Sequence, residues 1–182
     1  WEATPRLSVR ERDGATEITF TGHLRRPAWN GVHAGHIIEP NTVYRLTFTV
    51  DDSPTIGVTV GITPSVERAD AEAFVAYRIP FAGVTSWSAA GQTGNVGDQR
   101  GERVFQAGQL DSLDDLTMSL QHADGTLTVS SITGDPAPPQ NPFLLDAGDA
   151  FHLFFAMLNG QTVTLPAGEE RAYSFDLTVE TP

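Results

Sequence analysis

LTMSLQHADGTLTVSSI, residues Leu116–Ile132, is a β-hairpin written out in sequence. Asp124-Gly125 is the strongest short turn signal in the chain, because both residues tolerate the positive φ of a two-residue hairpin loop. Ahead of it Leu116, Met118 and Leu120 alternate with Thr117, Ser119 and Gln121; behind it come Leu127 and Val129. A loop at Asp124-Gly125 pairs His122 with Leu127 and Leu120 with Val129, so the apolar residues of both strands share one sheet face. Ile132 breaks the alternation, and a bulge or strand end is expected near Ser130-Ser131.

The same pattern runs outward in both directions. Leu7–Arg12, Glu17–Thr21, Val32–Ile38, Val43–Val50 and Thr55–Thr63 read as strands, with Pro40-Asn41 and Asp51–Pro54 as turns between them. Pro64–Ala73 is the one stretch with a helical turn in prospect, though too short to commit to one. Phe74–Phe81 is a strand ended by Pro80, and Ala89–Gly101 is a long glycine-rich loop before a short strand at Glu102–Phe105. Gly134–Pro142 carries four prolines and cannot pair. Phe151–Leu158 and Thr162–Leu165 form a second hairpin about Asn159-Gly160, and Ala172–Val179 is the last strand. About a dozen short strands punctuated by turns predict an all-β, antiparallel β-sandwich or jelly roll with little or no helix. The whole chain, 1–182, is expected to be a single domain, with its first and last strands paired.

The composition narrows the function. There are 17 Gly, 12 Pro, no Cys and a formal net charge of −12. A basic face that releases phosphate counterions is missing, so nucleic acid is not an expected partner. An anionic membrane is repelled as well, and no apolar run reaches the 18 residues of a spanning helix. All 11 basic residues are Arg, which reads as codon bias in a GC-rich genome. Lack of cysteine removes disulfides and thiolate chemistry, and inclines the expectation toward an intracellular, reducing compartment.

Several segments together resemble the SPRY domain, a concanavalin-like β-sandwich. The resemblance is carried by Trp29-Asn30-Gly31-Val32, Tyr44–Phe48, Ile56–Gly61, Leu116–Thr128 and Phe154–Leu165, in that order. It covers about Ile18 to Leu165. Ser86-Trp87 only loosely echoes the family's Gly-Trp, and Asp111–Asp115 and Gly134–Pro142 replace two of its motifs. The resemblance implies a non-catalytic module that binds a protein or peptide through loops at one end of the sandwich.

Most clusters of chemistry-bearing residues read as plain surface. Glu67, Asp70 and Glu72, and Asp111, Asp114 and Asp115, read as solvated loops in a chain with 23 acids. His33 and His36 fall on opposite faces of a strand, which defeats a zinc site. Asp146 and Asp149 are conceivable calcium ligands, yet no calcium-loop pattern is present, so no metal and no cofactor are expected. No nucleophile motif and no paired acids point to an enzyme. The expected partner-binding residues are Arg25, Arg26, Trp29, Asn30, Trp87, Asn95 and Arg100, since Trp and Arg dominate binding hot spots. The other readings are a carbohydrate-binding, lectin-like module and a structural or coat component.

Overall fold

The structure, a computed structural model, describes residues 5–27, 36–71, 76–106, 116–135, 143–146, 148, 150–156 and 163–181. The strands in chain order are β1 (Arg6–Arg12), β2 (Ala15–Pro27), β3 (His36–Val50), β4 (Thr55–Pro64), β5 (Arg68–Ala71), β6 (Ala76–Ala82), β7 (Val84–Ala89) and β8 (Gln92–Asn95). They continue as β9 (Arg103–Gln106), β10 (Met118–His122), β11 (Gly125–Asp135), β12 (Phe143–Asp146), β13 (Ala150–Ala156), β14 (Val163–Leu165) and β15 (Arg171–Glu180). A nine-stranded antiparallel sheet runs β1-β2-β3-β4-β15-β11-β10-β7-β8. A four-stranded sheet runs β6-β13-β12-β9, and β14 pairs with β5. Among the described residues there is no helix, so Pro64–Ala73 supplies the end of β4 and then β5.

Period-two patterning decides which face of the large sheet is dry. Leu46, Val60 and Tyr173 align across β3, β4 and β15, as do Phe48, Val58 and Phe175. Further along, Ile56, Leu177, Val129, Met118 and Ala89 form one register line, and Leu127, Leu120 and Trp87 another. These side chains make one core with Phe105 and Leu144 of the smaller sheet. The rings of Trp87 and Phe105 lie 6.0 Å apart, which ties the two sheets together. The all-β antiparallel sandwich is therefore as expected.

Details of register differ from the sequence expectation. The central hairpin turns at Ala123-Asp124, with His122 opposite Gly125, Leu120 opposite Leu127 and Met118 opposite Val129. This is a two-residue slide, so the apolar face is preserved. Gly125 thereby lies in the strand, where the Glu180 carbonyl leaves no room for a Cβ. The break at Ser130-Ser131 is a bulge with Ser131 at φ 54°; it restores parity so that Ile132 is buried.

Pro40-Asn41 is no turn: β3 is continuous and absorbs Pro40–Thr42 as a bulge between Glu39 and Val43. β6 passes through Pro80, a residue tolerated on an edge strand such as this one. Ala89–Gly101 contains strand β8 rather than loop alone, and Gly134 and Asp135 do pair, with Tyr173 and Ala172. β13 pairs with β12 and β6, and β14 with β5, so the hairpin expected to join Phe151–Leu158 to Thr162–Leu165 is not formed; its turn, Asn159-Gly160, lies outside the described residues. β1 and β15 are not partners: β1 is an edge, and β15 sits between β4 and β11.

Candidate functional site

The outer face of the large sheet follows from the same alternation. Where Trp87 and Ala89 point inward, Ser86 and Ser88 point out, and each has outward neighbours on both sides. Ser86 is opposite Asn95 of β8 and Gln121 of β10; Ser88 is opposite Thr93 and Ser119. Ser86, Ser88, Thr93, Asn95 and Gln121 line a shallow depression of about 310 Å³, with Trp87 and Gly94 contributing from the strands between. None of these lining residues is charged.

The polar groups of this depression are oriented. Thr126 Oγ1 donates to Gln121 Oε1 at 3.0 Å, which leaves the Gln121 amide N–H groups as donors. Asn95 Nδ2 donates to Asp98 Oδ2 at 3.0 Å, which leaves Asn95 Oδ1 as an acceptor. A donor and an acceptor therefore flank Ser86 from opposite sides.

The turn that follows β8 is held by one carboxylate. Asp146 is fully buried; its Oδ2 accepts from the N–H groups of Gly97 (2.7 Å) and Gln99 (3.1 Å), and its Oδ1 from Gly148 (2.7 Å). Its own N–H donates to Glu102 O, and its carbonyl accepts from Gly101 N–H. Asp146 is thus an acceptor for backbone donors; Asp149, its conceivable calcium partner, lies outside the described residues. Among the described residues no three His, Asp or Glu side chains gather as a metal site.

The residues expected to bind a partner are dispersed. Trp87 is 5% exposed and packs in the core, so it offers no exposed ring. Its indole N–H finds no acceptor among the described residues and lies against Gly94. Asn95 does line the depression, and Arg100 is exposed in the following turn with its side chain laid over Gly148. Arg25 and Arg26 are on β2, separated from β7 by β3, β4, β15, β11 and β10. Trp29 and Asn30 lie outside the described residues. Gln121, Ser86, Ser88 and Thr93 were missed; the signal for them was the polar half of the same alternation that gave the core.

At the other end of this face, Arg45 meets Glu170 in a two-pronged ion pair, Nε to Oε1 at 2.8 Å and Nη2 to Oε2 at 2.7 Å. The hydrogen bonds that Arg45 donates to the Glu170 carboxylate raise its pKa above the ordinary value. The Glu170 carboxylate lies across Gly61, where a Cβ would collide with it.

No family model matches the sequence, and no curated protein matches it. Solved structures do match in fold. A galactose 1-epimerase from Lactobacillus acidophilus NCFM aligns with TM-score 0.50 at 11% identity, over 97% of this chain and 66% of its own. An aldose epimerase homologue from C. elegans aligns with TM-score 0.40 at 12% identity, over 96% of this chain and 68% of its own. The chain thus spans about two thirds of each. At such identities the likeness is one of fold. It nonetheless corrects the reading drawn from the SPRY resemblance: a solved structure that shares the fold over nearly the whole chain is a galactose 1-epimerase. The expectations of a non-catalytic protein, and of a protein or peptide as its main partner, are overturned with it.

Proposed function

We propose that the chain recognises neutral carbohydrate in the depression formed by β7, β8 and β10. The observation that carries this reading is the uncharged lining, in which the Gln121 donors and the Asn95 acceptor flank the Ser86 hydroxyl. A sugar hydroxyl both donates and accepts, so vicinal hydroxyls match such a set, whereas an anion or a cation finds no counter-charge there. A volume near 310 Å³ is at the small end for ligand sites and suits one or two sugar rings. The likeness in fold to a galactose 1-epimerase supports the same reading.

The test is calorimetric titration with galactose and glucose. Millimolar binding is expected, weakened roughly threefold to tenfold by Gln121→Ala or Ser86→Ala, as for loss of about one hydrogen bond. Absence of binding by any neutral sugar would refute it.

A second reading, that the bound sugar is also converted, is favoured by the extent of the fold match to a galactose 1-epimerase. Inversion at C1 requires a base to take the proton of the anomeric hydroxyl and an acid to protonate the ring oxygen as the ring opens; no lining residue of the depression is either, so conversion needs groups from beyond it. Polarimetry of freshly dissolved α-galactose measures it: faster decay of rotation with protein than without supports conversion, and equal rates oppose it.

A further inference from the structure

A row of hydroxyls leads out of the depression across the sheet. Thr55, Thr178, Thr128, Ser119, Ser88 and Thr93 are successive register partners on β4, β15, β11, β10, β7 and β8. Six adjacent strands thus contribute one Ser or Thr each, all on the outer face. Ser88 and Thr93 also line the depression, so the row ends in it. We infer that this row is an extended binding track for an unbranched neutral polysaccharide, with the depression as its end site.

Spacing, chemistry and charge identify the occupant. Neighbouring strands lie roughly 4.8 Å apart, so five spacings make a track of roughly 24 Å. An extended glycan places one ring per similar distance, and each ring then meets one hydroxyl residue. Thr55 and Thr178 already bond to each other at 2.9 Å. A bonded pair of hydroxyls still offers one donor and several lone pairs, which is what a glycan hydroxyl needs. The row holds no formal charge, and a chain of net charge −12 disfavours acidic glycans. The track turns with the sheet by roughly 20° per strand, so the occupant is a single flexible chain and not the face of a flat crystal.

A second hydroxyl row, Ser8, Thr19, Thr47, Thr59, Ser174 and Thr133, is not equivalent. Arg45 Nη1 donates to Thr47 Oγ1 at 3.1 Å, and Thr47 is buried beneath the Arg45–Glu170 pair. That row is crossed by an ion pair.

The inference rests on the carbohydrate reading, and titration with β-1,4-linked glucose and galactose oligomers of one to seven rings separates the two. Affinity is expected to rise roughly threefold per added ring, consistent with one net hydrogen bond each, and to level off at about six. Thr128→Val with Thr178→Val, which keeps the β-branched shape, should remove about two of the five threefold steps, roughly a ninefold loss for the hexamer, and leave monosaccharide affinity intact. Thr19→Val with Thr59→Val should change neither. Monosaccharide binding without gain in length, or a gain untouched by the Thr128/Thr178 pair, would overturn the track alone. No binding of any length would overturn the track and the carbohydrate reading together.

Discussion

Asp146 and Trp87 show how residue types mislead when their partners are distant in sequence. A buried aspartate ahead of Gly148 looks like a metal ligand or a loop acid; in the fold its carboxylate serves three backbone N–H groups, two of them nearly fifty residues away. Asp146→Asn keeps the shape but turns an amide toward donors it cannot accept from. It should cost roughly 2–3 kcal/mol in urea unfolding, and increase proteolysis between Val96 and Gly101. Trp87 was legible as core, since Ser86 and Ser88 flank it and Ala89 shares its parity, but its place beside a glycine-rich stretch pointed to a binding loop instead. Trp87→Ala should cost about 3–5 kcal/mol. Asp51 is different again: the Ser53 hydroxyl and N–H hold its carboxyl below the ordinary value. Its contribution is present above an unfolded pKa of about 3.9 and is lost as the pH falls through the lower folded value. Asp51→Asn should therefore lower the melting temperature near pH 5 and make no difference at the acid end of a titration, where protonation has already removed the bond.

The elements were legible wherever local alternation was enough, and ambiguous wherever pairing was decided from far away. The central hairpin slid by two residues, which puts Gly125 in the strand, where the Glu180 carbonyl of β15 leaves room for glycine alone. Strand β1 could be read as a strand but not as an edge. All seven of its residues are exposed, including Leu7 at 59% and Val9 at 58%. Arg6, Arg10 and Arg12 occupy alternate sites on it, and any antiparallel pairing of two copies that keeps their faces in register sets arginine against arginine or beside it. Charged side chains of this kind keep an edge from templating another sheet. Replacing all three with Thr should leave the fold intact and produce concentration-dependent aggregation by light scattering; a variant that stays monodisperse would show that the charges do not guard the edge.

At the scale of the molecule, the sequence reached the β-sandwich but not its order. β15 lies between β4 and β11, a long-range arrangement that no local pattern encodes. The SPRY resemblance followed hairpins and glycine-containing strands, which many sandwiches share, and so it gave the architecture while leading to the wrong function. The acidic excess has a consequence of its own. With a net charge of −12, self-repulsion opposes the compact state, and added salt screens it over a length of about 10 Å at 0.1 M. The melting temperature should rise between 20 mM and 500 mM sodium chloride; a fall would mean that the ion pairs outweigh the repulsion. The polar face could have been found in the sequence only by reading the outward residues with the care given to the inward ones, and by knowing which strands are neighbours. Its role is tested most directly by amide chemical-shift mapping during titration with galactose. Binding in the depression predicts shifts concentrated on Ser86–Ser88, Thr93–Asn95 and Gln121, with little change on β1 and β2. Shifts confined to other strands, or none at saturating sugar, would contradict it.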